Sequence, residues 1–169
     1  MNELHVSSEL VHLRSVRRWV ARAGVSAGLS REQISDLQVA VGEAFTNSVK
    51  HGYRSDPNGT VVVTSSIEDG DLVIRVLDEG SACSVDLSND PDLAVPHEGG
   101  YGIYLMKLLT DRLEIRSGHA SGTEVVLRKR ISRDEEGERR TGPRGALGGQ
   151  GPQGEERPGR TRISRGSLS

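Results

Sequence analysis

The sequence predicts an α+β two-layer sandwich over residues 1–131, a mixed sheet with helices on one face, followed by a disordered Gly/Arg/Glu-rich tail over residues 132–169. Two observations carry the sandwich. Apolar residues recur at helical spacing through the first part of the chain, and the period then changes to that of paired strands. A third observation carries the tail: after Ser132 the only apolar side chains are Ala146, Leu147, Ile163 and Leu168. Such a stretch cannot bury enough surface to offset an ordering cost of about 1–2 kcal/mol per backbone residue.

The first element is a short strand over residues 3–6. Ser8 offers an N-cap, and Leu10, Leu13, Val16, Val20 and Ala23 recur at helical spacing in a helix that carries Arg14, Arg17, Arg18 and Arg22. Gly24 and Gly28 mark its break. Ser30 and Gln33 make a capping box, and Ile34, Leu37, Val41, Ala44, Phe45 and Val49 form the apolar stripe of a second helix that Gly52 stops. Residues 60–67 (TVVVTSSI) and 72–77 (LVIRVL) read as strands joined by a turn at Glu68-Asp69-Gly70-Asp71.

From Asp78 to Gly100 little regular pattern remains, and a loop of that length inside a small domain is either functional or misassigned. Residues 103–110 read as a short buried helix. Residues 113–116 and 123–128 read as a second hairpin.

Composition excludes several classes. The 169-residue chain has a net charge of −2, so the domain lacks the electrostatic footprint of a nucleic-acid binder. The arginines of the tail stand among glutamates, which favours a solvated segment over a nucleic-acid arm. Cys83 is the single cysteine, so neither an intrachain disulfide nor a cysteine-cluster zinc site can form. The start MNELHVSSEL has no basic region followed by an apolar run, and no apolar stretch is long enough to span a membrane. A cytoplasmic protein without membrane or direct nucleic-acid partners is expected.

Four short motifs can carry chemistry, and each has a plain alternative. Glu43 and Asn47, at i and i+4, project from one helix face, where a carboxylate and an amide can hold magnesium and its waters. Lys50 and His51 come next, within reach of a phosphate. The alternative is an exposed polar stripe. Asp78, with Glu79 and Gly80, ends an apolar strand; it can accept a hydrogen bond from an exocyclic amine, or it can belong to an ordinary β-turn. Gly99, Gly100 and Gly102 open a helix and can present free amides to phosphates, or they form a hinge before a core helix. Gly122 and Thr123 enter the last strand, where the hydroxyl can join a water network around a base or simply leave a turn.

Taken together, in this order and spacing, the four motifs resemble the boxes of the Bergerat-fold (GHKL) ATPases, which include gyrase, MutL and histidine kinases. The resemblance is strongest to the bacterial anti-sigma-factor serine/threonine kinases. It covers about Leu4 to Arg130, including the E-A-x-T-N-x-x-x-H-G-Y segment from Glu43 to Tyr53 and the arginine-bearing first helix.

The resemblance implies ATP and Mg2+ as cofactors. Asn47 would ligate Mg2+, Glu43 would act as the general base, and Lys50 would lie near the phosphates. Asp78 would bind the adenine amino group, with Gly80 giving room and Thr123 supporting the network. Gly100 and Gly102 would shape the lid, residues 82–100, and its following helix. Asp86, Asp90 and Asp92 would keep that lid solvated. The implied reaction is γ-phosphoryl transfer to a serine or threonine of a STAS-domain anti-sigma antagonist, by a protein that also binds a sigma factor. Arg14, Arg17 and Arg18 are a candidate docking face, or equally a solvated helix face. Relatives commonly pair, which leaves room for a homodimer.

Ala82 stands where many relatives have a second glycine, which puts tight ATP binding in doubt. Glu43 argues against histidine-kinase ancestry, where asparagine is usual at that position, and the segment holding His5 and His12 is too short for a dimerising hairpin. Two further functions stay open: a nucleotide-binding regulator without kinase activity, and an ATP hydrolase.

Overall fold

A computed structural model describes residues 2–81, 101–117 and 122–131. The expected tail, the lid, Ala82 and Gly100 lie outside the described residues. In chain order the elements are β1 (Asn2–Ser7), a 3-10 turn (Leu10–His12), α1 (Leu13–Ala27), α2 (Arg31–Asn47) and a π-turn (Ser48–Gly52). They continue with β2 (Thr60–Glu68), β3 (Asp71–Asp78), α3 (Tyr101–Leu109), β4 (Arg112–Ser117) and β5 (Thr123–Arg130).

The strands form one five-stranded sheet in the order β1-β2-β3-β5-β4. The two-layer architecture is as expected, but the mixed sheet is corrected: each of the four pairings is antiparallel. The reason is topological. β3 and β4 run in the same direction across α3, which from sequence looks like a parallel crossover. The hairpin partner β5 fills the place beside β3, so the two like-directed strands never become neighbours.

Strand parity divides the sheet into two faces. Val63, Val76 and Val125 align across β2, β3 and β5, as do Ser65, Ile74 and Leu127. This face packs with Val16 and Val20 of α1, Leu37, Val41, Ala44 and Phe45 of α2, and Met106 of α3 in one buried core. The opposite face carries charges. Glu68 pairs with Arg75 at 2.8 Å and Arg128 at 3.0 Å, and Glu124 meets Arg116 at 3.1 Å. The Ser66 hydroxyl, donating at 2.7 Å, and the Arg75 guanidinium hold the Glu68 carboxyl down to about 2.

Local signals explain most boundaries. The capping box forms, with the Gln33 amide donating to Ser30 Oγ at 3.2 Å and the Ser30 amide to Gln33 Oε1 at 2.9 Å. Asp69 (φ 52°) and Gly70 (φ 85°) both occupy the left-handed region, as a two-residue hairpin turn requires. Two expectations change. Ser8 does not cap α1; its hydroxyl donates across to the Asp56 carbonyl, and a 3-10 turn precedes the helix. Nor does Gly24 break α1. It is buried where a Cβ would lie 2.8 Å from Ile34 Cγ1, so it lets α1 and α2 approach, and Gly28 at φ 81° ends the helix. Among the described residues, no helix is long and apolar enough to cross a membrane.

Candidate functional site

Helix α2 runs into a π-turn, closed by the Tyr53 amide donating to the Ser48 carbonyl at 2.9 Å. Such turns widen a helix by one residue and recur at functional sites. Here the turn carries the Gly52 backbone to the end of β3. The Ser81 amide donates to the Gly52 carbonyl at 2.7 Å. A Cβ on Gly80 would lie 2.3 Å from the Gly52 carbonyl carbon and oxygen, so only glycine allows the two backbones to touch. On the other side, the Gly122 amide donates to the Gly80 carbonyl at 2.7 Å, and Gly122 adopts φ 88° hard against the Asp78 carbonyl.

These contacts frame a cavity of about 200 Å³. Ala44, Ile103, Met106, Ile115 and Val125 supply apolar wall, while Asn47, Ser48, His51, Asp78 and Thr123 supply polar groups. An apolar slot with a few convergent polar groups is the general form of a small-ligand site.

Asp78 is only 8% exposed. Burial pushes its carboxyl above the ordinary aspartate value, while the Ser48 hydroxyl and the amides of Gly80 and Thr123 draw it part of the way back. The Gly80 contact is 3.1 Å. No cation among the described residues contributes to that balance. A buried carboxylate held by neutral donors keeps acceptor capacity for a ligand amine.

The structure brings Asn47, Asp78, Gly102 and Thr123 to one cavity. Glu43 stands beside it: a Cβ on Gly102 would lie 3.0 Å from Glu43 Oε2 and 3.6 Å from Asn47 Nδ2. Glycine at that position in the first turn of α3 therefore leaves a cradle against both side chains. Both side chains carry a hard oxygen donor, that of Asn47 reaching the cradle when its amide is turned from the orientation that presents Nδ2, so the pair fits a magnesium ion. Gly80 lies behind the cavity lining, where it packs on Gly52. Lys50 is exposed on the π-turn outside the lining, whereas its neighbour His51 lines the cavity.

Ser48 is a lining residue that sequence reasoning passes over. A signal was present: it follows Ala44 by four positions, a lone hydroxyl continuing the buried face of α2. The arginines of α1 divide. Arg17 lies against Gly42 of α2, where a Cβ would come within 2.7 Å of its Nε, and that nitrogen has no hydrogen-bond partner among the described residues. Arg14 and Arg18 are exposed along a shallow groove with Leu10 and Val11.

Comparison with known proteins gives a consistent result. Residues 6–129 match the family model of the histidine kinase-like ATPase domain. An anti-sigma F factor of Geobacillus thermodenitrificans is 31% identical over 141 residues, covering 78% of this chain and 94% of the relative. The serine-protein kinase RsbW of Bacillus subtilis is 32% identical over 138 residues, covering 77% of this chain and 85% of the relative. Among solved structures, the RsbU and RsbW domains of Rv1364c from Mycobacterium tuberculosis match with a TM-score of 0.57 and 26% identity. That match covers 79% of this chain and 33% of the longer one.

Proposed function

The chain belongs to the histidine kinase-like ATPase domain family, and on that premise we propose that it is an ATP-dependent protein serine/threonine kinase that also acts as an anti-sigma factor. One observation carries the proposal: Asn47 and Asp78, far apart in sequence, line a single cavity, with Glu43 against the Gly102 cradle at its side.

In phosphoryl transfer the protein mainly positions groups and stabilises charge. The apolar slot takes the adenine ring, and Asp78 accepts from its exocyclic amine. Thr123 stands beside Asp78 and completes the polar end of the slot. The triphosphate runs toward Gly102, where the N-terminal turn of α3 presents a positive dipole end. Gly100, two positions before Gly102 in the sequence, is part of the same phosphate-binding motif, and Lys50, on its flexible stem, reaches the phosphates from the π-turn. Glu43 takes the proton from the incoming serine or threonine hydroxyl as the γ-phosphoryl group leaves ADP, and Asn47 would hold Mg2+ through its side-chain oxygen. When bound, Mg2+ neutralises charge that develops on the phosphates.

The protein substrate is a STAS-domain anti-sigma antagonist and the second partner a sigma factor. Of the Arg14, Arg17 and Arg18 cluster, Arg14 and Arg18 are exposed and available for docking, whereas Arg17 is half-buried against α2. A homodimer is part of the proposal. Catalysis resides in residues 1–131.

The deciding experiment incubates the full chain with γ-labelled ATP and Mg2+, with and without a STAS-domain protein. Label on a serine or threonine of that protein is the expected result. Free phosphate alone would make the chain an ATP hydrolase, and nucleotide binding with neither product would make it a regulator.

A further inference from the structure

We propose that Tyr53 is a positioning residue for purine recognition, its hydroxyl acting as a wedge between β2 and β3 that aims the Asp78 carboxylate. The proposal deepens the kinase function and rests on it. Strands β2 and β3 pair from Glu68 opposite Asp71 to Val61 opposite Asp78, and the next rung would join Thr60 to Glu79. That rung is not made directly. The Tyr53 hydroxyl stands in it, donating to the Thr60 carbonyl at 2.7 Å and accepting from the Glu79 amide at 2.9 Å. A phenol can serve as donor and acceptor at once, so both backbone groups stay satisfied while the strands part by the width of an oxygen.

The parting has a consequence one residue further on. Released from β2, the chain after Asp78 turns so that the Gly80 amide donates back to Asp78 Oδ1 at 3.1 Å and the Ser81 amide reaches the Gly52 carbonyl at 2.7 Å. The direction of the Asp78 carboxylate therefore depends on where the Glu79 peptide is held. The wedge itself is fixed at both ends. The Tyr53 amide closes the π-turn on Ser48 at 2.9 Å, and the Tyr53 ring covers Gly59, where a Cβ would lie 2.3 Å from the ring.

The test uses the full chain with Mg2+ and two probes, ATP and purine riboside triphosphate, which lacks the exocyclic amine. Wild-type protein binds ATP more tightly. Tyr53→Phe keeps the ring over Gly59 and removes only the bridge. Its ATP affinity falls about threefold to tenfold, the worth of an uncharged hydrogen bond, while its affinity for the deaminated probe barely moves. Gly59→Ala, which displaces the ring but retains the hydroxyl, produces the same selective loss.

Equal loss for both probes in the two variants would reduce Tyr53 to general support of the fold, and unchanged discrimination in Tyr53→Phe would remove its role altogether. Should wild-type protein itself show no preference between the probes, the purine assignment of Asp78 fails before Tyr53 is reached.

Discussion

The β2–β3 hairpin carries a carboxylate at each end, and the two could hardly be treated more differently. Glu68, beside the turn, faces the open side of the sheet, where Arg75 and Arg128 contact it at 2.8 Å and 3.0 Å. Asp78, at the far end, faces the helix side and is held by a hydroxyl and two amides, with no cation among the described residues. The Ser66 hydroxyl and the two guanidiniums together hold one carboxyl down to about 2, and burial drives the other up. An acid saturated with cations has finished its work within the fold. An acid buried among neutral donors has lone pairs in reserve, and that reserve marks a binding site.

Three substitutions can break or sharpen this contrast. The largest effect belongs to Glu43→Gln, beside the cavity: turnover on a STAS-domain protein, the proposed substrate, falls about 100-fold to 10,000-fold, as for loss of a general base. ATP affinity, measured by titration calorimetry, stays near the wild-type value. Retained turnover would remove Glu43 from the chemistry.

Next comes Asp78→Asn, for which ATP affinity falls about 100-fold, the scale of a hydrogen bond to a charged group. The same change stabilises the apo protein. Because burial raises the folded-state value of Asp78, its ionised form costs stability as pH rises through that value, and the cost is absent below the ordinary aspartate range. The variant therefore melts higher than wild type at neutral pH but not in acid. A lower melting temperature at neutral pH would contradict the burial argument.

Glu68→Gln gives the smallest change. The depressed value means that its contribution is complete above the ordinary glutamate value of 4.5 and is lost as pH falls toward about 2. The side chain is 31% exposed, so screening limits the effect to about 1 kcal/mol at neutral pH, less in high salt. Melting curves of the variant and wild type converge at the acid end. Kinase activity is unaffected, and a loss of activity would mean that the outer face communicates with the cavity.

The range of each interaction decides whether the sequence discloses it. The Ser30–Gln33 capping box, the Asp69-Gly70 turn and the alternation in β2 and β3 depend on neighbours a few positions apart, and each is legible from composition and spacing. The placement of β5 between β3 and β4 is not, since it depends on which edge a distant hairpin finds first. Ser8 shows the same limit at one residue: locally it is a good N-cap, but the Asp56 carbonyl takes its hydroxyl.

At the site, Asn47, Asp78, Gly102 and Thr123 are marked by residue type and motif spacing, while their meeting in one cavity is not. Ser48 escapes notice because its partner lies thirty positions away on another element. Gly80 is singled out for room beside a base, yet its tightest neighbour is the Gly52 backbone. Gly100 and the lid lie outside the described residues.

The π-turn sets the angular phase of everything that leaves α2. One residue removed between Ser48 and Gly52 would return the segment to α-helical pitch and rotate the downstream chain by about 100°. His51 would then point away from the cavity, and the peptide that Ser81 grips would face solvent. Recognition at the end of β3 is thus indexed to a single surplus residue in a neighbouring helix, so deletion of the Val49 codon would disable the site while leaving every one of its side chains in the chain.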